Sequence, residues 1–301
     1  MKREDFSWIK FSRENVTMIS RIEAIRKIID QEVGLEPCLP GIAEIEQRYD
    51  ALYHDYIDGK LKHRELYDLA SDLDMDIDKL YSKMRHEWIL ANESTFVALR
   101  KRAQNLTSFD EVQETFEKFA TDEAMLNLRV GLSEEQIDEE RQKIQEQLNA
   151  YRNMVFSYIL TTDEWNDDFV KDILDIIASD LVDPYTINMI VSAVSLSCTV
   201  FMDAPRLAVL MRLIKSDDST CSVRQRALVG FVFSAITNSG EKQKYWDSAA
   251  GLIMDDEFLA ACVDLQRQMR LCLTSKKDSK EMMHSCLLYT SPSPRDYAAS
   301  R

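Results

Sequence analysis

Glycine and proline are so scarce in this chain that their absence nearly decides its architecture. Its 301 residues hold seven glycines and six prolines. Sheets draw on these residues at almost every turn, because glycine reaches positive φ and proline presets the first corner. Helices need them only at their ends. Pro184 follows Asp183 and Pro205 soon follows Asp203, each an acceptor side chain with proline in the first helical turn. Ser133 with Gln136 and Ser108 with Glu111 read as capping boxes. The chain is predicted to be all-α.

Composition narrows the function classes. Hydrophobic residues make up 45 %, enough for a packed core, while 52 acidic against 37 basic side chains leave a formal net charge of −15. That balance opposes general binding to nucleic acid or anionic membranes. The longest apolar stretch, residues 187–202, is interrupted by Ser192, Ser195, Ser197 and Thr199 and is too short to span a bilayer, so it is predicted to be a buried core helix. Cys38, Cys198, Cys221, Cys262 and Cys272 form an odd set without CxxC spacing. The N-terminus MKREDFSWIKFSRENV lacks an apolar signal region. Both point to a reducing cytoplasm.

Apolar spacing divides the chain. Residues 1–130 form an N-terminal helical section, with Ile19, Ile22, Ile25 and Ile29 on one helix and a second helix over 42–57. A third begins near Leu61 and continues toward Trp88. Residues 131–285 open with a helix of heptad-like spacing (Ile137, Ile144, Leu148, Tyr151, Val155, Tyr158). Its polar first half, EEQIDEERQKIQEQ, is predicted to project as one arm of a helical hairpin. Helices follow over 169–181, 186–202, 207–214, 223–236, 245–253 and 258–273, with Asp163 among the helix-start residues. The starts at Asp183, Ser222 and about Asp255 are 39 and about 33 residues apart. That spacing fits helix pairs stacked into an α-solenoid, with an irregular helical bundle as the alternative.

Two resemblances add to this. SVRQRALVGFVFSAI, after the acidic turn SDDST, resembles the second helix of a HEAT repeat. More broadly, YRNMVFSYILTTDEW, INMIVSAVSLSCTVF, VRQRALVGFVF and IEQRYDALYHDYIDGKLKHRELYDLASDL resemble segments of large uncharacterised helical-repeat proteins of gut Bacteroidetes. The resemblance implies a HEAT- and tetratricopeptide-like architecture, and no catalytic residues are carried over from it. The tail CLLYTSPSPRDYAASR, residues 286–301, is similar to a translated sequencing adapter. It is expected to be non-native, and the chain a C-terminally truncated fragment. A repeat array cut there would expose Leu259, Cys262, Leu265 and Leu271 and self-associate.

Candidate chemistry is thin. Asp72, Asp74, Asp76 and Asp78 imitate the start of an EF-hand loop, but Ile77 and Lys83 replace the required glycine and glutamate, so solvated turn and capping roles are expected. His86 and Glu87 begin like a zinc-protease helix, yet Leu90 stands where the second histidine belongs. Surface or interface roles are expected for His54, His63 and His86. No GxSxG elbow, GxxxxGK or GxGxxG loop occurs. Trp8, Trp88, Trp165 and Trp246 read as core anchors.

Charge segregation is the remaining signal. An acidic run (Asp163, Glu164, Asp167, Asp168, Asp172, Asp175, Asp180, Asp183) precedes a basic one (Arg206, Arg212, Lys215, Arg224, Arg226) broken by Asp217 and Asp218. Stacking would set the two side by side. The expected function is a non-enzymatic scaffold for protein–protein interaction, without catalytic, cofactor or metal residues. Arg206, Arg212, Arg224, Arg226, Asp167, Asp168, Asp172 and Asp175 are its candidate partner contacts. The alternatives are a HEAT-like enzyme or nucleic-acid-processing protein using a basic groove of these arginines, or a regulatory module of a larger protein.

Overall fold

A computed structural model describes residues 17–106, 108–126, 128, 133–163, 165–216, 219–237 and 251–290, with side chains omitted at 273 and 275–290. Trp8, Trp246, Glu164, Asp217, Asp218, residues 245–250 of a predicted helix and residues 291–301 of the tail lie outside it. Among the described residues every regular element is helical: α1 (Met18–Gln31), α2 (Leu39–Ile57), α3 (His63–Asn92), α4 (Ser94–Ala103), α5 (Val112–Leu126), α6 (Glu134–Thr161), α7 (Asp167–Ala178), α8 (Pro184–Val200), α9 (Ala204–Lys215), α10 (Cys221–Thr237) and α11 (Asp256–Thr290). None of them is long and apolar enough to cross a membrane.

The first core joins α1, α2 and α3. Ile22, Ile25 and Ile29 face Ile42 and Ile45 of α2 and Leu73, Ile77, Leu80 and Met84 of α3. Burying each such side chain contributes about 1.5–3 kcal/mol. Gly34 turns the chain at φ +91°, and a Cβ there would stand 2.5 Å from Ala91 Cβ. Only glycine meets both demands. The aspartate ladder lies within α3, not in a turn. Arg21 ion-pairs with Asp74 and Asp78, and Arg48 with Asp76, so three of the four pin α1 and α2 to α3.

The second core starts before residue 130. Phe109, Val112 and Phe116 are buried with Leu148, Val155, Ile159, Trp165 and the apolar faces of α7 to α10. Residues of the 1–130 section therefore contribute to both cores. Here the helices form two layers. One sets α4, α6, α8 and α10 side by side, and the other sets α5, α7 and α9 side by side. The polar first half of α6 lies against α5, where Gln145 donates to Glu123 at 3.1 Å.

Hydrogen bonds fix the register of the layer. Arg152 donates to Thr186, Ser222 to Asn188 and Arg226 to Ser192, each pair 34 residues apart, and Thr199 meets Ser234 at 35. Because the contacts advance together along α8 and α10, these helices run parallel with a similar offset. Helix starts are set by side-chain caps: Asn166 for α7, Asp183 for α8 and Asp203 for α9. Asn166, not Asp163, caps α7. The hydroxyl of Thr220 accepts from Val223 N at the start of α10, which begins at Cys221, one residue before the expected start at Ser222. On α11, Leu259 and Leu271 are exposed, while Cys262 and Leu265 pack partly against the core.

Candidate functional site

The four arginines do not share a groove. Arg206 is an interior residue, 4 % exposed. Its guanidinium ion-pairs with Asp203, donates to Ser197 Oγ at 2.9 Å and to the Thr162 carbonyl at 2.8 Å, and lies 4.7 Å over the Trp165 ring. All these contacts tie α8, α9 and the α6–α7 connection together, so Arg206 is a packing residue and not a partner contact. Arg224 donates to the Ser216 carbonyl at 3.0 Å, bracing the α9–α10 turn. Arg226 is exposed but reaches Ser192 at 2.9 Å on α8. Arg212 is exposed and lines an open depression of about 520 Å³ with Leu207, Met211 and Lys215.

The acidic residues are gathered more tightly. Asp168, Asp172 and Asp175 recur on α7 at helical spacing, with Asp167 exposed at its start. Burial, then the charges of Asp110, Asp175 and Asp168, raise the Asp172 carboxyl above its ordinary value. A proton is held more firmly there because burial, and then the neighbouring carboxylates, disfavour the charged form.

The layer of α8 and α10 has an apolar outer face. Leu196 is 48 % exposed, and on α10 Val229, Phe233 and Ile236 follow at i, i+4 and i+7, with Phe233 39 % and Ile236 57 % exposed. The two helices approach closely at Gly230 and Ser195, where a Cβ on the glycine would lie 2.2 Å from Ser195 Oγ. Exposed apolar groups lying contiguously mark surfaces that bind other molecules.

A second cluster lies where the two cores meet. His86, near the end of α3, is 5 % exposed and packs edge-on against Phe201, centroids 4.4 Å apart. Burial, then the charge of Arg206, lowers its pKa to about 4, so the ring is neutral at neutral pH. Neither ring nitrogen makes a hydrogen bond of good geometry, although the Thr161 carbonyl is close enough to favour the charged ring somewhat. Beside it, Glu87 is 8 % exposed and pairs with Arg100 of α4 at 3.1 Å. Asp163, exposed on the α6–α7 connection, completes a group whose ligand atoms lie within 4.8 Å of one another. No local pattern marks this group as a whole, because 76 residues separate Glu87 from Asp163. The neighbouring His–Glu pair was its one visible sign.

Comparison with protein families, curated proteins and solved structures yields no match to this chain.

Proposed function

We propose that the protein is a non-enzymatic scaffold for protein–protein interaction, an α-solenoid of stacked helix pairs acting in the cytoplasm. The observation that carries this reading is the similar displacement, centred near 34 residues and ranging from 31 to 38, that links α6 to α8 and α8 to α10. A similar displacement with parallel neighbours is the geometry of a repeat array, in which each unit contacts only the next. The resemblance of residues 150–236 to large helical-repeat proteins points the same way. Such arrays work by presenting a long surface. In this chain that surface would combine the apolar face of Leu196, Val229, Phe233 and Ile236 with the acidic face of α7. Together they suit a partner segment carrying apolar anchors and basic residues. Asp167, Asp168, Asp172 and Asp175 keep their place as proposed contacts, whereas Arg206 does not.

Affinity capture from extracts of the source organism tests the proposal, comparing the parent chain with a Leu196→Glu/Phe233→Glu variant. Both side chains are only partly exposed (48 % and 39 %), so capture is compared only once the variant's circular dichroism and melting are shown to match the parent's. A protein partner retained by the parent and lost by the variant is expected. Identical capture by both chains, or recovery of nucleic acid alone, would overturn the reading.

A further inference from the structure

We propose that His86, Glu87 and Asp163 bind one divalent transition-metal ion of the zinc(II) class across the junction of the two cores. The geometry is the first argument. Their ligand atoms lie within 4.8 Å of one another. Ligands at tetrahedral zinc stand about 3.3 Å apart, given bond lengths of about 2.0–2.1 Å. The present spacing exceeds that by at most about 1.5 Å.

The second argument is independent of the acidic groups. An imidazole that is 5 % exposed, with neither nitrogen in a hydrogen bond of good geometry and only the Thr161 carbonyl close by, is costly, since a buried polar atom forfeits its water. A metal ion is the partner such a nitrogen fits best. One imidazole with two carboxylates is a zinc-type ligand set, because calcium and magnesium take oxygen donors and softer ions take thiolates. The two carboxylates balance the ion's charge. Asp163 is exposed, which provides an entry path.

The neighbouring cations do not forbid the site. Arg206 is already paired with Asp203. Arg100 holds Oε2 of Glu87 at 3.1 Å and is therefore the group an incoming ion must compete with or sit beside. Once bound, the ion would join α3 of the first core to the α6–α7 connection of the second.

Calorimetric titration of the full chain with zinc chloride, after chelator treatment and dialysis, tests this. One ion per chain is expected, with affinity falling at least about tenfold in Asp163→Asn, since even outer-shell changes cost about 10–100-fold. Asp163 is exposed, so that variant should keep the parent's circular dichroism; His86→Gln is the second variant. Cobalt(II) should give visible d–d bands without a thiolate charge-transfer band. Failure to bind one zinc per chain, equal affinity in the parent and Asp163→Asn, or thiolate-to-cobalt absorption would each overturn the assignment.

Discussion

Gly230 of α10 lies against Ser195 of α8 so closely that a Cβ on the glycine would stand 2.2 Å from the serine hydroxyl and 3.0 Å from the serine Cα. Glycine mid-helix costs about 1 kcal/mol relative to alanine, yet here it is what lets the two parallel helices touch. Since the obstacle includes backbone, it cannot rotate aside. Gly230→Ala should therefore destabilise the chain by about 1–3 kcal/mol despite its better helix propensity. Urea unfolding measures this, and an unchanged or higher midpoint would show that the helices separate without cost.

Asp183 ties α6 to α8. It accepts from Thr186 N at 3.0 Å as N-cap and from Arg152 Nη2 at 2.8 Å. Burial by itself raises this carboxyl, but the hydrogen bonds from Thr186 and Arg152 outweigh it and hold it below its ordinary value. The folded pKa is thus below the unfolded one. Its stabilisation is present above the unfolded pKa and is lost as pH falls through the folded value. Asp183→Ala should cost about 2–3 kcal/mol near pH 7, through the lost cap and the unpaired Arg152. Asp183→Asn, which can still cap, should cost about 1 kcal/mol. Denaturation at pH 7 and in strong acid checks the sign: the gap between parent and Asn variant must shrink on acidification.

Arg206 and Arg212 belong to one short helix yet should respond differently to substitution. Removing one member of a buried ion pair costs about 3–5 kcal/mol. Because Asp203 stays 34 % exposed, Arg206→Met should fall near the lower end, about 3 kcal/mol. Arg212→Ala, on the surface, should stay within about 0.5 kcal/mol. Equal thermal shifts in the two variants would contradict the interior placement of Arg206.

Thiol reactivity reports the packing directly. Burial pushes the Cys38 thiol up to about 11 and the Cys198 thiol up to about 12. Cys221 and Cys272 are exposed. Under native conditions at mildly alkaline pH, labelling should reach Cys221 and Cys272 quickly and Cys38 and Cys198 only on unfolding. Mass-mapped modification with a disulfide reagent distinguishes them. Native labelling of Cys198 as fast as Cys221 would be incompatible with the α8 core.

Much of the candidate surface was legible one residue at a time but not as a surface. The acidic recurrence of α7 shows in the spacing of Asp168, Asp172 and Asp175, because i, i+4 and i+7 define one helix face. The fate of Arg206 does not show, because Asp203 three residues earlier is compatible with either a solvated pair or a buried one. Ser197 and the Thr162 carbonyl decide between them, and they come from other elements. Likewise the aspartate ladder of α3 reads as solvent-facing until Arg21 and Arg48 arrive from α1 and α2.

The sequence by itself determined that this protein is helical and where most helices begin. Breaker scarcity, caps and apolar period act within a few residues and need no partner to be read. Tertiary structure alone decided which helices lie side by side, that residues 34 or 35 apart meet, and that His86 faces Asp163 across two cores. Those outcomes depend on how apolar stripes settle against one another and on where a glycine admits close approach. Such contacts join residues far apart in the chain, so no local pattern encodes them.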